Sequence, residues 1–331
     1  MNFATTINNE SRRTFTENGA TAFDSTGDAL LDFFGCAGSL RTASEERIER
    51  LFASAIAEDR LLATKALFYV RDIREGLGER RTFRILLRYA ANHHPEMIRE
   101  NIPLIGHDGR FDDLYELVGT PLEKEMWEYV DHQLAEDRIA MWNNEPCSLL
   151  AKWLKTADAS SKNTRKMGIM TAKHLGLSVY EYKRIVRALR KYIDVTEVKM
   201  SANKWEEIDY SSVPSRAMLN YRRAFNRHDE ERYSEFINKA ANGEEKINAS
   251  TLFPYDIIEK YLATEGYYFV WNGFRVTYDP ALEAQWNALP DYVDSEASAI
   301  VIADTSGSMC GRPICTAVGL AIYFAQRNKG A

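Results

Sequence analysis

The chain has no apolar run close to the roughly 20 residues needed to cross a bilayer, and Met1-Asn2-Phe3-Ala4-Thr5 opens without a basic segment followed by an apolar core. Both absences predict a soluble protein with no membrane partner. Cysteine is scarce: Cys36, Cys147, Cys310 and Cys315 are scattered, with no CxxC pair and no histidine at zinc-finger spacing. That argues against a disulfide framework or a structural zinc and predicts a reducing, cytoplasmic setting. A catalytic constellation is also missing. His93-His94 and His107-Asp108 have no nucleophile or ligand at motif spacing and read as surface or capping histidines. Gly76-Leu77-Gly78 follows a helical stretch rather than a strand, so it reads as a turn, not a nucleotide fingerprint. No enzyme is expected, and no repeat of fixed period stands out.

What is present is a chain of 331 residues, 45% hydrophobic and 27% charged, long enough for two domains with real cores. The net charge of −6 hides an asymmetry. Residues 1–149 carry 17 Lys and Arg against 26 Asp and Glu, 150–232 carry 18 against 10, and 233–331 carry 7 against 12. A basic middle between acidic flanks matters more than the overall sign, because a polyanion responds to the local potential.

Residues 1–28 are rich in Asn, Thr, Ser and Gly and predict an extended or poorly ordered lead-in. Ser44 before Glu45-Glu46 is an N-cap signal, and Ile48, Leu51, Phe52 and Ile56 then fall on one helical face. Helices are predicted over 61–73 and 79–93, and further ones near 110–118, 121–140, 147–156, 164–175, 178–193, 213–225, 229–240 and 254–263. Helix after helix with short connections predicts a mainly α fold, a HEAT-like helical-repeat (α-solenoid) domain over 29–265, with a single compact bundle as the alternative. The period then changes from 3.6 to 2 in Tyr267 to Tyr278, where Asn272-Gly273 between aromatic and β-branched residues predicts a β-hairpin in the connector 266–296. Ala297-Ser298-Ala299-Ile300-Val301-Ile302-Ala303 suits a strand buried on both faces, and a helix over 313–327 completes a β-loop-α unit.

Between that strand and helix lies Asp304-Thr305-Ser306-Gly307-Ser308-Met309. Asp304, Ser306 and Ser308 set one carboxylate and two hydroxyls on a tight loop at the carboxyl end of a strand, hard oxygen donors that suit Mg²⁺ or Mn²⁺. The bland reading of the same residues is a loop that caps the following helix. The string matches in full the DxSxS motif of the von Willebrand factor A (vWA) domain, a Rossmann-like fold. That resemblance implies a later Thr and a later Asp to complete the metal site. With neither in the sequence, 297–331 is expected to be the N-terminal fragment of such a domain, to bind metal weakly, and to pack loosely or dock on the helical domain.

The basic middle has its own pattern. Lys183, Arg184, Arg187, Arg190 and Lys191 recur at helical spacing over 179–193, while Ile185, Val186, Leu189 and Ile193 fall on another face. Upstream, Lys162, Arg165 and Lys166 stand with Ser160, Ser161 and Thr164 at a helix start, where free backbone N–H groups favour phosphate. Tyr180, Tyr182, Tyr192 and Trp205 lie near enough in sequence to be considered as base-stacking platforms. Against this stands a solvated helix face balanced by Glu181, Asp194 and Glu197, with the tyrosines in the core.

Ala66-Leu67-Phe68-Tyr69-Val70-Arg71-Asp72-Ile73-Arg74-Glu75-Gly76-Leu77-Gly78-Glu79-Arg80, then Gly109-Arg110-Phe111-Asp112-Asp113-Leu114, and finally the DxSxS motif together resemble the Ro (TROVE) family, especially its phage and bacterial relatives. Ser148 to Leu154 and Lys204-Trp205-Glu206-Glu207-Ile208 have the same texture. The resemblance spans about residues 30–331. It implies a HEAT-like array followed by vWA, with single-stranded RNA ends and small structured or misfolded RNAs as partners. The chain departs from it in being acidic overall and in its incomplete vWA portion, so a closed ring is not implied. The expectation is a non-catalytic RNA-binding scaffold for RNA quality control or ribonucleoprotein assembly. The alternative is a protein-interaction adaptor that takes an acidic partner through the vWA metal.

Overall fold

The computed structural model describes residues 13–15, 19–262, 277–293 and 300–328. They are mainly helical and divide into two compact units, 1–195 and 196–331. The hairpin expected over 267–278, apart from Thr277 and Tyr278 at its end, and the first part of the strand expected over 297–303 lie outside the described residues.

In the first unit, Arg13–Phe15 (β1) and Thr21–Phe23 (β2) pair antiparallel, with Thr14 opposite Ala22. The helices are α1 (Ala29–Cys36), α2 (Glu45–Glu58), α3 (Arg60–Arg71), α4 (Arg80–His93), α5 (Glu123–Asn143), α6 (Lys162–His174) and α7 (Val179–Tyr192). Shorter turns fill the gaps, including Phe111–Leu117 and Leu150–Trp153. Caps set several starts: Ser44 Oγ accepts from Arg47 N (3.3 Å) and Asp59 Oδ1 from Leu62 N (2.9 Å). Asp59 both ends α2 and caps α3, so the chain reverses with no linker. One continuous core holds the unit. Phe33 packs on Phe52 (5.2 Å between ring centres), and Phe52, Phe83, Leu86 and Leu87 are fully buried. A buried side chain of that size contributes roughly 1.5–3 kcal/mol.

A charged network lies inside this apolar core. Asp113, wholly buried, receives Arg71 Nε from the end of α3 (2.7 Å) and Arg84 Nε from α4 (2.6 Å), and Arg71 itself is 3% exposed. Asp112 beside it receives Arg110 Nε (2.8 Å) and Nη2 (2.6 Å), with Arg84 at 3.0 Å and Lys155 at 3.6 Å. The Arg110 guanidinium also lies 3.9 Å above the Trp153 ring. Gly109 must be glycine here, since a Cβ would stand 2.7 Å from Arg71 Nε. Gly76 is equally constrained, because a Cβ would meet Tyr69 O at 2.0 Å.

The second unit contains α8 (Ser215–His228), α9 (Glu230–Ala241), α10 (Pro254–Leu262), α11 (Pro280–Asn287) and α12 (Arg312–Arg327). Tyr210, Phe225, Tyr233 and Phe236 form its aromatic core. Helix α11 was not expected, although Asp279-Pro280 is a clear start: Asp279 Oδ1 accepts from Ala281 N (3.0 Å) and Pro280 fills the first helical position.

The described end of the expected strand is not in a sheet. Residues 300–303 pair with no strand among the described residues, and Ile300 and Ile302 are 92% and 90% exposed. An apolar strand buries both faces only between neighbouring strands with helices above and below, and none of the described residues supplies them. Helix α12, by contrast, docks on α10. Ile314 and Cys315 pack with Leu262, and Gly319 sits where a Cβ would be 3.1 Å from the Pro254–Tyr255 backbone.

Asp113→Ala leaves two guanidiniums facing a buried void and is expected to cost about 3–5 kcal/mol in urea unfolding; a loss below about 1 kcal/mol, the size of an exposed pair, would deny the network its structural role. Burial pushes the Asp112 carboxyl up, but Arg110, Arg84 and Lys155 outweigh it and hold the pKa at about 2. The folded value lies below the ordinary one of about 3.9. The stabilisation is therefore complete above that pH and is lost as pH falls towards 2. Urea midpoints measured across that window should fall more steeply for the native chain than for Asp112→Asn.

Candidate nucleic-acid interface

Helices α6 and α7 carry the predicted basic residues, and their starts are firmly set. Ser161 Oγ accepts from Thr164 N (3.4 Å). At α7, Ser178 Oγ accepts from Glu181 N (3.2 Å) while Glu181 Oε2 accepts from Ser178 N (3.0 Å). Glu181 is thereby turned onto the helix start, and its hydrogen bonds to Ser178 hold its pKa below the ordinary range. An acid that appeared to neutralise the stripe is engaged in a capping box.

Successive residues of a helix turn by about 100°, which sorts the cations of α7. Tyr182, Val186 and Leu189 are buried. Tyr180, Arg184, Arg187 and Lys191 lie on the opposite, exposed sector, with Tyr180 73% exposed. Lys183 and Arg190 fall on the seams. Lys183 pairs with Asp158 (2.5 Å), a contact that lowers the Asp158 pKa. Arg190 turns inward: Nε donates to Ala151 O (2.8 Å), Nη2 to Leu154 O (2.8 Å) and Nη1 to Thr156 Oγ1 (3.2 Å). Burial lowers its pKa. It holds the turn after Leu150–Trp153 rather than facing solvent.

On α6, Lys162 and Lys166 are exposed, while the Arg165 guanidinium folds back on Ala159 O (2.9 Å) and Ser160 O (3.4 Å). The sequence reading missed Lys173, which continues the line of Lys162, Lys166 and exposed Ile169 at helical spacing and is itself exposed. The spacing alone was enough to find it. Among the described residues, Lys162, Lys166, Lys173, Arg184, Arg187 and Lys191 meet no acid within ion-pair distance.

Of the aromatics considered for stacking, only Tyr180 stands clear. Tyr182 is in the core with Oη donating to Lys155 O (2.7 Å), and Tyr192 Oη donates to Glu145 O (2.9 Å). Trp205 belongs to the other unit, stacked on His228 at 4.4 Å.

The DxSxS loop is exposed at Asp304 and Ser306, and Asp304 Oδ1 accepts from Ser306 N (2.8 Å), a contact that lowers the Asp304 pKa. Among the described residues, no group of three or more His, Cys, Asp or Glu side chains that could hold a metal ion gathers there or elsewhere. One carboxylate does not meet the roughly six oxygens a hard divalent cation requires, so the described donors alone do not make a metal site.

Residues 16–136 and 143–298 match the family described as a domain of unknown function, DUF2828. The chain belongs to this family. The matched segments contain the Arg71–Asp113 network and both basic helices, while Asp304 lies beyond them. The chain is also 26% identical over 360 residues to "Uncharacterized protein L728" of Acanthamoeba polyphaga mimivirus, an alignment covering 96% of this chain and 60% of the relative. The chain thus spans three fifths of the length of the curated relative it matches. No solved structure matches. No helix among the described residues is long and apolar enough to cross a membrane.

Arg190→Gln is expected to lower stability by about 1–3 kcal/mol through its orphaned carbonyls, whereas Arg187→Gln should stay within about 0.5 kcal/mol. Urea unfolding of the two variants checks this, and equal effects would return Arg190 to the solvated face.

Proposed function

We propose that this chain is a non-catalytic RNA-binding scaffold whose first unit takes single-stranded or loop RNA on the exposed faces of α6 and α7. The observation that carries the reading is the set of six exposed cations that meet no acid within ion-pair distance among the described residues, Lys162, Lys166, Lys173, Arg184, Arg187 and Lys191, with Tyr180 standing open among those of α7. Phosphates supply most of the affinity on such a face, and an exposed aromatic ring adds base stacking that pairs poorly with a closed duplex. Lys183, Arg165 and Arg190 support the face from behind by fixing loops, each through the contacts described above.

The likeness to the Ro (TROVE) family, with its HEAT-like array, belongs to this proposal, as does the vWA identity of the segment around Asp304. Mg²⁺ at Asp304, Ser306 and Ser308 would be held weakly, and no step of RNA binding is routed through it.

Fluorescence anisotropy with a labelled single-stranded RNA at several salt concentrations provides the test. The triple change Lys166→Glu, Arg184→Glu, Arg187→Glu is expected to weaken binding at least about tenfold and to flatten the salt dependence. No binding at low salt, or the same affinity and slope in the triple variant, would overturn the reading. Protein partners that survive nuclease treatment while RNA binding is absent would favour the adaptor instead.

A further inference from the structure

The second unit contains a cleft of about 750 Å³ between the polar faces of α8, α9 and α10 and the start of α11. That volume suits a small organic ligand. Arg223 and Arg227 lie one turn apart on α8 and are exposed, Lys260 reaches in from α10, and Asn226 and Asn238 line the walls. Among the described residues neither Arg223 nor Arg227 has an ion-pair partner, and the polar contact of Lys260 is the neutral Asn220 Oδ1 (3.2 Å). Among the described residues, the one lining acid, Asp279, is neutralised by Arg222 (2.9 Å) and engaged in capping α11. The cleft therefore keeps a surplus of positive charge.

A separate observation points the same way. Tyr233 lines the cleft, is 4% exposed, and its hydroxyl has no hydrogen-bond partner among the described residues. A buried hydroxyl without a partner costs roughly 1–3 kcal/mol; the oxygen itself has almost no accessible surface, so an acceptor on a bound molecule recovers that cost once a small turn of the Tyr233 ring brings the hydroxyl to the cleft. Burial first, and the charge of Asp279 second, push its pKa up, so it remains a donor.

We propose that this cleft binds the phosphate monoester of a nucleoside, with the phosphate between Arg223, Arg227 and Lys260 and the base near Tyr278 at the rim. Two guanidinium forks with an ammonium match a phosphate dianion, whereas a carboxylate would occupy one fork. The cleft is larger than a lone phosphate requires. Tyr278, 70% exposed, offers a ring face, and the two asparagine amides can meet base or ribose edges. A free nucleotide and the phosphorylated end of an RNA strand present the same chemistry.

Isothermal titration of the whole chain with UMP, AMP, uridine, and a short RNA with either a 5′-phosphate or a 5′-hydroxyl tests this. UMP or AMP is expected to bind and uridine to bind at least about tenfold more weakly, with the same loss for the double variant Arg223→Gln, Arg227→Gln. Tyr233→Phe should keep the native melting temperature or raise it, yet bind the nucleotide several-fold more weakly. Saturation by the free nucleotide assigns the cleft to small molecules. Binding of only the 5′-phosphorylated RNA, lost in the double variant, assigns it to strand ends. Failure of every phosphorylated probe, or undiminished binding in the double variant, overturns the proposal. Lys166→Glu, Arg184→Glu, Arg187→Glu should leave nucleotide binding unchanged, so the fate of the α6–α7 face is read separately.

Discussion

A single carboxylate, Asp113, sets the frame of the first unit. It lies at full burial between guanidiniums from α3 and α4, with the backbone N–H of Arg110 as a further donor at 3.3 Å. In a low-dielectric interior such a charge is tolerable only when its hydrogen bonds are made and its counter-charges are in place. The arrangement admits little variation: α3 and α4 must present their arginines together, and Gly109 must leave room for Arg71. Apolar packing would permit many small slips of one helix on another, whereas this pair of charged contacts penalises each of them.

From Asp113 the polar chain continues towards the basic helices. Asp112 fixes Arg110 over Trp153 and reaches Lys155. The backbone N–H of Lys155 donates to Tyr115 Oη (3.1 Å) and its carbonyl accepts from Tyr182 Oη on α7. Arg190 of α7 secures the same stretch through Ala151, Leu154 and Thr156. The rotation of α7 is thus set from within, and the direction in which Arg184, Arg187 and Lys191 point follows from it. Arginine consequently has three roles in one unit: counter-charge in the core, clamp on backbone carbonyls, and solvated cation. Its five donors in a rigid fork suit all three, which is why composition alone cannot separate them.

Helix positions were largely legible in the sequence because capping residues and apolar periodicity are local. Ser44 marks a start that the structure confirms as a side-chain cap, and Asp59 and Ser178 cap two further helices through equally local contacts. The general location of the basic face was legible for the same reason, and Lys173 was missed only because the line through Lys162 and Lys166 was not carried far enough. Asp279-Pro280 was an equally local signal, passed over because proline was taken as punctuation rather than as a first helical residue.

What the sequence determined by itself was the helical class, the placement of most of the helices and the excess of cations over 150–232. Only the tertiary structure decided which of those cations remain available. Arg190 and Lys183 lie on the seam of α7, where a few tens of degrees of rotation separate water from a carbonyl or an aspartate, and that rotation depends on contacts distant in sequence. The same holds for the strand expected over 297–303, of which 300–303 are described, since an apolar run becomes a buried strand only beside neighbours that it cannot itself supply. The cleft lined by Arg223, Arg227 and Tyr233 is likewise a product of packing: its charges come from helices separated along the chain, and their convergence leaves no mark on local periodicity.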